Sequence, residues 1–315
     1  MPRPIGLTMT AVTLLWLSGT ALGLVIAIWA SRGALDAAVR LGAHLGLSSF
    51  VIGVTIVAVG TDLPEVANSV IASARDHGDL NVGDSIGSVV TQLTIVLGVL
   101  CFVGGLKASR RFLVTVGALT ILALLTGSLL MSDGQFGRAD AALLLAFWLV
   151  GTYIIQRRAP RTVVERPPGV TGPLVVRTLL FLSLVGVGAT IAVESFTRAA
   201  ESLGAPEYLL SFFVLAAGTS LPELVIDLRA LRQGAGELAM GDLVGSSFVD
   251  ATLSPAIGPL LFPTMLSDGV ARGSLVAAAI VAAVTVVLFR SPRPTRWSGV
   301  VLIGLYLAMY PLLIA

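Results

Sequence analysis

The chain has 315 residues, of which 56% are hydrophobic and only 12% charged, with a mean hydropathy of +0.94. A soluble domain carries roughly 25% charged residues, so these proportions exclude one and predict an all-α integral membrane protein whose partner is the lipid bilayer. The net charge of +2 does not mark a nucleic-acid partner, because the basic residues sit singly or in twos and threes at the ends of apolar runs, where membrane topology places them.

Arg3 precedes the apolar run Leu7 to Ala30, which is longer than a signal-peptide core and lacks a small-residue cleavage site, so it reads as a retained first span. Apolar runs able to cross a bilayer need about 20 residues. Ten are expected, near 7–31, 48–74, 82–105, 111–131, 139–157, 174–200, 207–231, 238–262, 271–290 and 297–314. Threading them through a membrane puts 15 basic residues in the loops of one side and 5 on the other. The positive-inside rule then predicts a multi-pass cell-membrane protein with both termini outside. Cys101 is the single cysteine and lies in an apolar run, which leaves no intrachain disulfide and no thiolate metal cluster.

Residues 158–173 form the one linker, basic and broken by Pro160, Pro167, Pro168 and Pro173. It separates a first half, 1–157, from a second, 174–315, each with five spans. Five is odd, so the second half enters the membrane in the opposite sense to the first, which is the topology of an inverted repeat.

The halves align without a gap at an offset of 158, the value of both 223 − 65 and 246 − 88. Gly60-Thr61-Asp62-Leu63-Pro64-Glu65 falls on Gly218-Thr219-Ser220-Leu221-Pro222-Glu223. Gly83-Asp84-Ser85-Ile86-Gly87-Ser88 falls on Gly241-Asp242-Leu243-Val244-Gly245-Ser246. In the first motif, proline removes a backbone hydrogen bond and glycine loosens the helix, so a helix break is expected at membrane depth. Such a break is tolerated where it faces a cavity whose occupant satisfies the freed backbone. A cation fits that need, with threonine and serine hydroxyls beside it and glutamate supplying charge. A simple proline kink explains one such motif; a carboxylate at the membrane centre in both halves is a functional signature.

In the second motif Gln92 and Asp250 follow the serines by four residues. Positions four apart share a helix face, so Ser88 with Gln92, and Ser246 with Asp250, present paired oxygen ligands, while Gly87 and Gly245 admit a close neighbour helix. Asp84 and Asp242 read as N-terminal caps of their spans, with a supporting or entry role as the alternative. Asp36 with Arg40 and Glu194 with Arg198 read as surface ion pairs four residues apart. His44 and His77 have no clustered ligands in sequence and are assigned to no metal.

These paired motifs resemble the two repeats of the calcium/cation antiporter superfamily, particularly its prokaryotic sodium/calcium exchangers, over nearly the whole chain. The resemblance implies ten helices in two inverted halves, with broken helices at the ion site. It implies Glu65 and Glu223 as central ligands shared by calcium and sodium, with Thr61, Ser88, Thr219, Ser220, Ser246 and Asp250 around them. It also implies first and sixth helices that slide to expose the site to each side in turn, with inorganic cations as cargo and no cofactor.

Two positions depart from that pattern. Asp62 stands where serine is common, and Gln92 where asparagine is common, so both join the expected ligand set. Four carboxylates in one cavity put selectivity and stoichiometry in question and make proton exchange the rival to sodium coupling for calcium or another divalent ion. A passive channel does not require inverted halves. An intramembrane aspartyl protease would need a glycine two residues before Gly83, where Asn81 stands, so no enzymatic activity is expected.

Overall fold

A computed structural model describes residues 5–45, 49–158, 171–200, 216–267, 269–290 and 294–314, almost all of them helical. The linker residues 159–170 and the start of the seventh predicted span, 207–215, lie outside the described residues. Helix α1 (Ile5–Leu45) extends the first apolar run by more than three turns. Its added part is amphipathic: Ala34, Leu35, Ala37, Ala38 and Leu41 are buried while Asp36 and Arg40 face out.

The next predicted span is two pieces. Helix α2 (Ser49–Ile52), a wide turn at Gly53–Val57 with i→i+5 spacing, and α3 (Ala58–Thr61) lead to Asp62, after which α4 (Leu63–Ala74) leaves at an angle of 46°. Pro64 sits in the first turn of α4, where a missing N–H costs little. Asp62 keeps backbone bonds on both sides, from its N–H to Ala58 and from Val66 N–H to its own carbonyl. The expected break is therefore a one-residue kink, since a proline two residues past the junction disturbs a single turn.

Helix α5 (Gly78–Thr91) runs through a second wide turn at Gln92–Val96 into α6 (Leu97–Val103), and the chain leaves at Gly104 with φ +80°. Wide turns of this kind concentrate at functional sites. The first half closes with α7 (Arg110–Leu130), β1 (Gln135–Phe136) and α8 (Arg138–Arg158). The second contains α9 (Thr171–Ala200), α10 (Ala216–Thr219), α11 (Leu221–Arg232), α12 (Gly236–Asp250), α13 (Leu253–Leu261), β2 (Thr264–Met265), α14 (Gly269–Arg290) and α15 (Arg296–Ile314).

The offset of 158 survives in the folded chain. Added to the helix starts Leu63, Gly78 and Arg138 it gives Leu221, Gly236 and Arg296, each the start of a helix. The kink repeats as well: Asp62 has φ −80° and ψ 7°, Ser220 φ −79° and ψ 7°.

Helices α5 and α12 lie at the centre, buried on nearly every face. Gly245 brings α12 against the first kinked segment, where a methyl group would stand 2.7 Å from Val54 Cα. Helix α1 packs along α9, and α7 along α14. At one rim β1 and β2 pair antiparallel, Gln135 with Met265 and Phe136 with Thr264, linking the halves by backbone. By length and apolarity alone, four described helices can cross a bilayer (Gly78–Val103, Arg110–Leu130, Arg138–Arg158 and Gly269–Arg290), or five with the kinked pair. The other predicted spans are broken into short pieces, carry more charge, or include residues outside the described set.

Candidate cation site

The two kinks face the two central helices crosswise. Thr61 Oγ1 lies 3.2 Å from Ser246 Oγ, and Thr219 Oγ1 lies 3.1 Å from Ser88 Oγ. Adding 158 to 61 and 88 gives 219 and 246, so these are one contact seen twice. Gln92 and Asp250, also 158 apart, meet each other: Gln92 Nε2 donates to Asp250 Oδ2 at 2.9 Å. A pair of equivalent positions in mutual contact marks where the two-fold relation passes.

Around that point all ten sequence-predicted ligands are buried, none more than 3% exposed. Carboxylate oxygens of Asp62, Glu65 and Asp250 come within 4.8 Å of one another. Ser88 donates to Glu65 Oε1 at 3.4 Å, but Glu65 Oε2 and both oxygens of Asp62 have no hydrogen-bond partner. Glu223 stands outside this trio and lies beside Asp62 and Thr61, its two oxygens likewise without a partner. Ser220, at the position equivalent to Asp62, turns its hydroxyl back to the Ala216 carbonyl at 2.8 Å. Among the described residues no basic side chain pairs with any of these acids.

Buried carboxylates without base or donor are expensive. A hard cation is the chemistry that fits oxygen ligands of this kind, and hydroxyls alternating with carboxylates suit either a monovalent or a divalent one.

The capping roles expected for Asp84 and Asp242 are not what the structure shows. Each is seven residues into its helix and fully buried. Asp84 instead accepts from Asn68 Nδ2 at 2.7 Å and from Thr219 Oγ1 at 2.9 Å. Four participants escaped the sequence reading: Asn68, Asp227, Ser247 and Ser254. Ser247 donates to Gln92 Oε1 at 3.0 Å and Ser254 to Asp250 Oδ1 at 2.9 Å, fixing both central side chains. Asp227 follows Glu223 by four residues and Asn68 follows Glu65 by three, so their shared helix face was a signal available in the sequence. The Glu194–Arg198 pair forms at 2.6 Å on the exterior, His44 Nδ1 meets the Arg40 carbonyl, and Cys101 is buried and free.

The profile of the family described as sodium/calcium exchanger protein matches the chain twice, over residues 15–156 and 173–314. A sodium/calcium exchanger of Methanosarcina acetivorans is 25% identical, covering 91% of this chain and 95% of its own. An uncharacterised membrane protein of Methanocaldococcus jannaschii is 27% identical, covering 91% and 94%. The solved structure of the sodium-calcium exchanger NCX_Mj, soaked with sodium and strontium, superposes with a TM-score of 0.76 at 24% identity, covering 95% of this chain and 98% of that one.

Proposed function

This chain belongs to the sodium/calcium exchanger family, and on that premise we propose the residues and motions by which it works. It is a membrane antiporter that exchanges sodium for calcium. Glu65, Glu223, Asp250 and Asp62 supply the negative charge. Thr61, Ser88, Thr219, Ser220 and Ser246 supply hydroxyl oxygens, and the Gln92 carboxamide orients Asp250. The carrying observation is the convergence of Asp62, Glu65 and Asp250 oxygens within 4.8 Å in a fully buried position. Calcium and sodium compete for the same oxygens, so loading by one ion favours release of the other.

The broken and full-length helices together make ten crossings in two inverted halves, 1–157 and 174–315, joined at 158–173, with both termini outside. The repeated helix starts, the matched kinks and the crosswise hydroxyl pairs support that reading. Helices α1 and α9, packed along each other, slide as a unit over the kinked segments and open the site to each side in turn. Movement between two packings of a rigid pair is a common form of switching.

The test is calcium-45 uptake into proteoliposomes holding the full chain under imposed sodium, potassium or proton gradients. Outward sodium gradients should drive concentrative uptake and the other two should not. Equal uptake driven by protons with sodium absent overturns sodium coupling.

A further inference from the structure

We infer that Asp227 and Asp242 form a second cation site, one helical turn from the central cluster on the side where α11 ends. Asp227 follows Glu223 by four residues and Asp242 precedes Ser246 by four, a separation of about 6 Å along each helix. Both aspartates are fully buried, they lie against each other, and none of their four oxygens has a hydrogen-bond partner. The other groups beside them are Glu223, Thr61 and Ser246, all of which offer oxygen. Thr61 turns its hydroxyl to the Val57 and Ala58 carbonyls.

Two neighbouring acids in a protein interior cannot both stay ionised without a cation or a shared proton between them, and no basic side chain among the described residues supplies the charge. Arg229 is two residues past Asp227, hence on the opposite face of α11, and its charged neighbours are Arg32, Asp36 and Arg232. The equivalent positions in the first half need no ion. There Ser69 replaces Asp227 and accepts from the Gly258 N–H at 3.0 Å, while Asp84 is satisfied by Asn68 and Thr219. Among the described residues the unpartnered acid pair thus stands in the second half and has no counterpart at the equivalent positions of the first. Carboxylate oxygens recognise a hard cation, sodium or calcium. Lying beside Glu223, such an ion is a staging point between the central cluster and the α11 face.

The site goes beyond the proposed function and borrows from it only the location of the central cluster. Equilibrium binding of calcium-45 and of sodium-22 to the purified full chain, at saturation, counts the ions held. Asp227→Ser, which copies the first half, and Asp242→Asn should each bind one fewer calcium or one fewer sodium than the parent. The isotope that drops identifies the ion. Unchanged counts for both ions in both variants overturn the site. Glu65→Gln retaining its full calcium complement would instead sink the central reading, leaving the aspartate result to stand or fall alone. Should either variant fail to fold, parent crystals soaked with strontium and with thallium give the same reading. An anomalous peak between Asp227 and Asp242 supports the site, and central peaks without one overturn it.

Discussion

Asp84 and Asp242 occupy equivalent positions in the two central helices, yet their surroundings are opposite. Asp84 is held by an amide and a hydroxyl, whereas Asp242 faces another carboxylate. The same contrast appears at the kinks, where Asp62 leaves both oxygens unpartnered and Ser220 bonds its own helix. The lesson is that a repeated backbone can carry an unrepeated charge pattern. Symmetry builds the cavity, and departures from symmetry decide how cations are held on each side of it.

The comparison breaks most completely if the central acids are dispensable. Glu65→Gln and Glu223→Gln should each lower sodium-driven calcium uptake by about 100-fold or more, because even outer-shell changes at metal sites cost roughly 10- to 100-fold. The protein should remain monodisperse in detergent. Calcium-45 flux near the parental rate in either variant removes that residue from the site.

A sharper test uses Gln92 and Asp250, equivalent positions in direct contact. Asp250→Gln alone should reduce uptake by roughly 100-fold. The exchanged variant Gln92→Asp/Asp250→Gln keeps the charge and the contact, so it should recover to within about 10-fold of the parent, contacting residues being strongly non-additive. No recovery in flux would mean that the immediate surroundings of Asp250, such as Ser254, matter more than the symmetric position.

Stability offers a third comparison. Asn68→Asp places a second acid against Asp84 and gives the first half the crowding of the second. An unsatisfied buried polar group costs about 1 to 3 kcal/mol, so the thermal midpoint in calcium-free detergent should fall by several degrees. Calcium should restore more of it than it adds to the parent. A midpoint unaffected by the substitution would show that the Asn68 bond contributes nothing.

The smallest effect is expected at Asp62. Asp62→Ser removes one of several carboxylates, so calcium flux should persist at less than about a 10-fold loss, with higher calcium and sodium concentrations needed for half-saturation. Unchanged half-saturation for both ions would show that Asp62 takes no part in holding them.

Much of this arrangement was legible in the sequence because a gapless repeat fixes equivalence before any contact is known. Thr61, Glu65, Ser88 and their counterparts could be paired on paper, and the structure brings Thr61 to Ser246, Thr219 to Ser88 and Ser88 to Glu65 within hydrogen-bond reach. The partners of Asp84 were not legible. Its donors come from α4 and α10, and only the packing of the kinked segments against the central helices brings them there. Without that packing, an acid near the start of a span reads as a cap. The kink was also milder than a motif glycine and a proline suggest, since Pro64 falls in a first turn that has no use for its N–H.

The β1–β2 pairing has a consequence for what this chain is free to become. It joins the halves at one rim, where Thr264 and Ser267 also bond to Asp76 and Asp79 and Arg138 donates to the Leu260 and Leu261 carbonyls. With the crosswise contacts at the centre, the molecule resembles a two-fold dimer written in tandem on one chain. A dimer of identical subunits must present every side chain twice, so Asp250 would confront a second aspartate instead of a glutamine, and Ser69 could not differ from Asp227. Covalent union lifts that obligation. The frame stays symmetric while each copy takes on its own half of the electrostatics.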